Sequence, residues 1–334
     1  MAKDGKLGVA LVGLGKYSTQ QLAPALKESR YCYLAGIVTG SEEKAKAWKK
    51  KYSLSDHAVY NYDNFDSIAD NEEIDIVYVV LPNSMHHRYV IKAANAGKHV
   101  ICEKPMAVTV EECDEMIEAC NRNNVKLSVG YRLHFDSYNM EMMRLGRNQE
   151  MGKVKVMELK NGMKDVDGWR LKKALAGGGS LMDLGIYCVQ GAVYTIGEDP
   201  VAVTATFGHT GDEDKFKEVE DNIYWNLEFP GGAVAKCYCS YSNDEDYLKA
   251  ETDDGWFGLT PAFDYKGLRG ATSDHQKIDF GNPNQQAAQL DNFAVCIMEN
   301  RESPVSGEMG KRDVKILQAI YQAAKSGERV LLQL

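Results

Sequence analysis

Over the first 130 residues, short apolar runs alternate with amphipathic stretches of helical period. The apolar runs fall at 7–12, 31–38, 75–81, 99–102 and 125–129, with a weaker one at 58–62. Nearly continuous apolar runs of this length read as strands buried on both faces, as in a parallel sheet. Between them, helical stretches are expected around 22–26, onward from Glu42, over 64–69, over 87–96 where Gly97 stops the pattern, and over 110–121. Strand and helix in regular alternation predict a doubly wound α/β sheet.

The alternation ends near Gly130. A helix holding Met140 and Met143, a strand at 154–159 and a glycine-rich loop at 176–179 come next. Ser180 is placed to cap a helix running through Asp183 and Tyr187, which are four apart and share one helix face. On spacing alone Asp183 reads as the capping-box partner of Ser180, and Tyr187 as a core aromatic with its hydroxyl tied to a neighbour. Strands are expected at 201–207, 222–229, 233–240 and 247–251, with a hairpin turn at 230–232, then less regular pieces around Trp256 and Tyr265. Helices over 286–299 and 313–324 close the chain. The expectation is two domains: an N-terminal Rossmann dinucleotide-binding domain, 1–130, and a C-terminal α+β domain with a large open mixed, mainly antiparallel sheet, 131–334.

Composition narrows the function. With 48 acidic and 39 basic residues the net charge is −9, which argues against nucleic acid or an anionic membrane as partner. No apolar run approaches the ~18 residues of a membrane span, and the first six residues lack a signal-peptide core, so a cytoplasmic protein is expected. The eight cysteines are scattered without a CxxC, and Cys237 and Cys239 would make only a strained disulfide, so reduced thiols are expected. The seven histidines form no HxxxH or HExxH array, and no metal is expected.

Three stretches carry candidate chemistry. The first strand runs into Gly13, Leu14, Gly15, Lys16, Tyr17 and Ser18. Gly13 permits a tight turn and Gly15 lets a pyrophosphate approach the backbone at a helix N-terminus, while the third small position is Ser18. The second strand ends in Thr39, Gly40 and Ser41, with Lys44 following, where NAD sites usually carry a carboxylate for the ribose. Hydroxyls and a lysine suit a 2′-phosphate, so NADP(H) is favoured over NAD(H). Ser41 also suits a helix cap, and both readings can hold together. Finally, Leu81, Pro82, Asn83 and His86 follow one strand tip and Glu103-Lys104-Pro105 another, at the end of the sheet where open α/β folds place ligands.

These residues resemble the Gfo/Idh/MocA family over essentially the whole chain, and within it the glucose–fructose oxidoreductase branch. The resemblance is carried by Gly13-Leu-Gly15, Asp63-Asn-Phe65, Leu81-Pro-Asn-Ser84, Ala96-Gly-Lys-His-Val100, Glu103-Lys-Pro-Met106, Gly130-Tyr-Arg132, Trp169-Arg-Leu171 and the long block 176–187. It implies Lys104 as an active-site lysine before a cis-proline, and Asp183 and Tyr187 as substrate-site residues. It also implies Thr39 and Lys44 as 2′-phosphate contacts. Further implied cofactor contacts are Tyr62, the 81–86 stretch, Glu103, Arg132, Trp169, Arg170 and Tyr265. About six residues precede the first strand, so the leader and extended N-terminal arm of that branch are not expected, and retention or exchange of the cofactor stays open.

The implied activity is NADP-dependent hydride transfer between the nicotinamide and a sugar (aldose) or a related polyol or carbonyl. A phenol has an ordinary pKa of about 10, so Tyr187 acts as acid/base only if a cation such as the Lys104 ammonium favours its phenolate. Asp183 would orient a sugar hydroxyl. Alternatives are an anhydro-sugar reductase, a diol dehydrogenase, or a non-catalytic NADP-binding regulator. The open sheet suggests a homodimer or homotetramer.

Overall fold

The structure is a computed structural model, and it describes residues 5–334. The chain forms two compact units: Met1–Arg132 with Asn284–Lys311, and Leu133–Pro283 with Arg312–Leu334.

The first unit is built on a six-stranded parallel sheet. Its strands are β1 (Leu7–Val12), β2 (Cys32–Val38), β3 (Val59–Tyr60), β4 (Ile76–Val79), β5 (His99–Cys102) and β6 (Leu127–Val129), in the spatial order β3-β2-β1-β4-β5-β6. This is the Rossmann order, which places the reversal of winding between β1 and β4. Every residue of β1 and β4 is buried, as the continuous apolar runs require. The helices α1 (Ala23–Glu28), α2 (Glu42–Tyr52), α3 (Asn83–Asn95) and α4 (Val110–Arg122) connect the strands. α3 begins at Asn83, ahead of the expected start at 87, because Pro82 adopts the extended backbone of an N-cap (φ −55°, ψ 145°) and the chain turns helical at once.

The second unit holds α5 (Ser137–Asn148), the short α6 (Lys173–Ala176) and α7 (Ile186–Ile196) with a nine-stranded mixed sheet. Its strands are β7 (Val154–Gly162), β8 (Ala202–Phe207), β9 (Asn222–Glu228), β10 (Val234–Ser240), β11 (Asp246–Thr252), β12 (Trp256–Leu259), β13 (Gly270–Thr272), β14 (Lys277–Ile278) and β15 (Val330–Leu331). Their order is β14-β13-β12-β11-β7-β10-β9-β8-β15, antiparallel except for the β7–β10 pair. The hairpin closes where expected, with the Ala233 carbonyl accepting from Phe229 N–H at 3.0 Å and Gly232 at φ +85°. Along β9, Ile223, Trp225 and Leu227 are buried while Tyr224 and Asn226 are exposed. One face of the sheet is thus core and the other outward.

Residues 284–311, expected in the second domain, group with the first unit. Helix α8 (Gln285–Met298) puts Ala287, Leu290, Phe293 and Ala294 into the same core as Leu11, Leu22 and Ile37. Asp291 on that helix accepts from Ser29 Oγ at 2.5 Å and from the Arg30 and Tyr31 N–H groups. Periodicity reports which face of a helix is apolar but not which core it fills. The last helix, α9 (Gly307–Ser326), starts earlier than expected and contains the final boundary between the units. All eight cysteines are free and buried. Among the described residues no helix is long and apolar enough to cross a membrane.

Candidate active site

The turn after β1 is shaped by two glycines with different tasks. Gly13 sits at φ +94°, and a Cβ there would lie 2.3 Å from the Val80 carbonyl oxygen, so no other residue fits. At Gly15 nothing lies within 4 Å of the Cβ position, and the backbone faces open space. Ser18 is fully buried and its hydroxyl donates to the Gly13 carbonyl at 2.6 Å, so the third small position clamps the turn. Leu14 is buried, Tyr17 half-buried and Lys16 exposed.

The end of β2 reaches the same turn. Ser41 Oγ accepts from the Lys44 N–H at 3.2 Å, capping α2, while Lys44 Nζ donates to the Leu14 carbonyl at 3.2 Å. The helix cap and a lysine at the glycine turn therefore coexist. Thr39 is buried, and its Oγ1 accepts from the Ser41 N–H at 3.3 Å. Gly40 is exposed, with the Tyr62 ring 3.1 Å from its Cβ position. An open glycine backbone, hydroxyls and an ammonium fit the phosphates of a dinucleotide.

At the tip of β4, Leu81 and Asn83 are buried and Pro82 is half-buried. His86 is wholly buried, its ring nitrogens facing the Pro105 carbonyl at 2.9 Å and the Leu81 carbonyl at 2.8 Å. Burial holds its pKa below the ordinary imidazole value. Its polar atoms join two backbone segments, which makes it a brace of the site wall. The Lys104-Pro105 bond is cis, as the resemblance implies. Glu103 Oε1 accepts from the Tyr78 hydroxyl at 2.7 Å, and Oε2 faces the Lys104 N–H at 3.3 Å. Burial pushes this carboxyl up, against the opposing charge of Lys104. Arg132 is buried and donates to Gln285 Oε1.

In the second unit, Asp183 lies on a π-helical turn, Leu181–Gly185, that runs directly into α7, where Tyr187 is the second residue. Asp183 Oδ2 accepts from Arg170 Nε at 2.6 Å and from the Tyr241 hydroxyl at 3.3 Å. The Arg170 guanidinium stacks 4.7 Å over the Trp169 ring. Tyr187 is half-buried, its ring centroid 6.1 Å from that of Phe263. Tyr265 is exposed.

The capping box expected between Ser180 and Asp183 does not form, since Ser180 makes no side-chain cap. The carboxylate of Glu220 takes its place, accepting from Gly179 N–H and Leu181 N–H at 2.9 Å each, with the Tyr321 hydroxyl donating at 2.8 Å. A Cβ on Gly179 would lie 2.0 Å from the Glu220 carbonyl oxygen, which explains a glycine there. Glu220, Tyr241, Tyr78 and Gln289 were missed from sequence because their partners lie tens to hundreds of residues away and no local motif marks them. Among the described residues no group of three His, Cys, Asp or Glu side chains is placed to hold a metal.

Residues 7–131 match the family described as "Oxidoreductase family, NAD-binding Rossmann fold", and residues 140–257 match the GFO/IDH/MocA C-terminal domain. The D-xylose 1-dehydrogenase [NADP(+)] of Haloarcula marismortui is 30% identical over 99% of this chain and 94% of its own. The chain belongs to the Gfo/Idh/MocA oxidoreductase family. Another full-length relative, the D-glucoside 3-dehydrogenase of Escherichia coli, is 25% identical over 98% of this chain and 97% of its own. The solved aldose-aldose oxidoreductase of Caulobacter crescentus, complexed with glycerol, superposes with a TM-score of 0.94 at 41% identity, covering 98% of this chain and 100% of that one. The Rossmann unit and the open-sheet unit are thus the two halves of a family oxidoreductase.

Proposed function

We propose that this protein is an NADP-dependent oxidoreductase that moves hydride between the nicotinamide and a sugar, an aldose or a related polyol or carbonyl. The observation that carries this reading is the full-length likeness to the Caulobacter aldose-aldose oxidoreductase at 41% identity. The preference for NADP(H) is supported by Lys44 Nζ at the Leu14 carbonyl, beside Thr39 and Ser41. The buried thiols suit a reducing, cytoplasmic setting. The outward sheet face bearing Tyr224 suits association into a homodimer or homotetramer, which light scattering would register.

In the oxidative direction a sugar C–H is lost as hydride while its hydroxyl loses a proton. Bound NADP+ supplies the hydride acceptor. Tyr187 takes the hydroxyl proton and returns it in the reverse direction. Lys104 supplies positive charge for the developing alkoxide. Asp183, held by Arg170 and Tyr241, orients a sugar hydroxyl.

The test is a panel of aldoses and polyols with NADP+ and NAD+, with products identified for the wild type and for Tyr187→Phe. Loss of the hydroxyl should lower turnover by about 10²- to 10⁴-fold. A phenylalanine variant turning over sugar at the wild-type rate would overturn the assignment. Assaying the supernatant of denatured protein then separates a retained cofactor, released stoichiometrically, from one that exchanges.

A further inference from the structure

Behind the Glu103-Lys104 step lies a buried chain of hydrogen bonds that the proposed reaction leaves unused. Tyr78 is wholly buried in β4, and its hydroxyl meets Glu103 Oε1 at 2.7 Å and Gln289 Nε2 at 3.0 Å. A phenol has one proton and an amide nitrogen only donates. With Gln289 donating into the phenol oxygen, the Tyr78 proton is left for Glu103. The reversed amide would turn Oε1 toward Tyr78 and take that proton from the carboxylate. Gln289 Oε1 is buried without a hydrogen-bond partner among the described residues, so the observed orientation leaves one acceptor unsatisfied. A hydrogen bond to a carboxylate is roughly twice as strong as one between neutral groups, which favours the arrangement that serves Glu103.

The carboxylate is held on its other sides too. A Cβ on Gly130 would lie 2.7 Å from Glu103 Oε1, so only glycine lets the carboxylate rest there. Oε2 faces the Lys104 N–H at 3.3 Å. The charged and titratable groups around it are Lys104, Arg132, Tyr78 and Cys102, with Tyr17 facing Tyr78 and His86 facing Lys104.

We propose that Tyr78, oriented by Gln289 from α8, is a positioning residue that keeps the Glu103 carboxylate ionised and fixed as the counter-charge of Lys104. The catalytic meaning of that counter-charge rests on the functional reading above, whereas the state of Glu103 does not. This assigns a task to the return of residues 284–311 to the first unit: α8 carries the donor that sets the direction of the chain. Burial raises the Glu103 carboxyl, while Lys104, the Tyr78 hydroxyl, the Lys104 N–H and Arg132 act against it.

The experiment follows Glu103 itself in the full-length protein. With ¹³C-carboxyl glutamate incorporated, its resonance is identified by its loss in Glu103→Gln and titrated without substrate or cofactor. Tyr78→Phe removes one oxygen and should move the Glu103 midpoint upward by about one pH unit. Gln289→Leu, which frees the phenol to rotate, should move it the same way by about half a unit and carries the test if Tyr78→Phe does not fold. Where sugar is turned over, the acid limb of kcat moves by the same amount while KM for the sugar holds. An unmoved midpoint in folded variants overturns the proposal, even if turnover falls. A shifted midpoint in a protein that turns over no sugar upholds this chain and overturns the sugar reading instead.

Discussion

Arg170 Nε sits 2.6 Å from Asp183 Oδ2, with the guanidinium plane over Trp169 and the carboxylate also accepting from Tyr241. Asp183 is therefore held by two side chains from two other segments before any ligand arrives. The pair is only partly shielded, since the Arg170 side chain is 33% exposed against 10% for Asp183. Arg170→Leu should cost about 1 kcal/mol of stability, as a partly solvated pair does. The larger effect is expected on orientation: KM for the sugar should rise roughly tenfold. Steady-state kinetics beside a denaturant titration check this, and unchanged KM would detach Asp183 from substrate.

The two glycines of the first turn should separate folding from binding. Gly13→Ala meets the Val80 carbonyl and an unfavourable φ, so it should destabilise the protein by about 2–4 kcal/mol. Gly15→Ala meets nothing within 4 Å. It should keep the wild-type melting temperature while weakening NADPH binding by about tenfold or more, because its methyl enters the path of the phosphates. Thermal melts and NADPH fluorescence titrations distinguish the two.

Lys44 should discriminate between cofactors. Removing its ammonium in Lys44→Ala is expected to weaken NADPH binding about tenfold at low salt and to leave NADH binding unchanged. Equal losses for both dinucleotides would show that Lys44 serves only the glycine turn.

A pH effect on stability is expected from His134. Its Nε2 faces Gln190 Oε1, and Gln190 Nε2 donates to the Asp313 carboxylate, so the amide orientation requires the proton on Nε2. Arg312 donates to the other Asp313 oxygen at 2.8–2.9 Å. Burial, with help from Arg312 and Arg147, pulls the His134 pKa down to about 4. Between that value and the ordinary 6.5 the unfolded chain binds more protons than the folded one. Stability is therefore full above about pH 6.5 and is lost as pH falls toward 4, by up to about 3 kcal/mol. His134→Asn should flatten this limb in urea titrations between pH 4 and 7.

The strands β1, β2, β4 and β5, the hairpin at Gly232 and the glycine turn were legible in sequence because each is written in neighbouring residues. Apolar runs, turn residues and cap spacings act over a few positions, and those rules hold whatever the rest of the chain does. The resemblance added the cis bond at Lys104 and the pairing of Asp183 with a substrate role, the first of which the structure contains. The short strands β12–β15 were not legible as regular strands, since runs of two to four residues carry little period.

Tertiary structure alone decided which partners the polar groups take. Ser180 and Asp183 have the spacing of a capping box, yet a half-buried carboxylate from Glu220 satisfies the N–H groups and Asp183 turns to Arg170. Tyr78 and Gln289 stand 211 residues apart, and α8 joins the first core although its neighbours in sequence belong to the second unit. Helix α8 follows its apolar face into that core, and the polar pairings share one physical reason. A buried donor or acceptor must be satisfied by whatever the fold brings within about 3 Å, and chain distance places no bound on what that is.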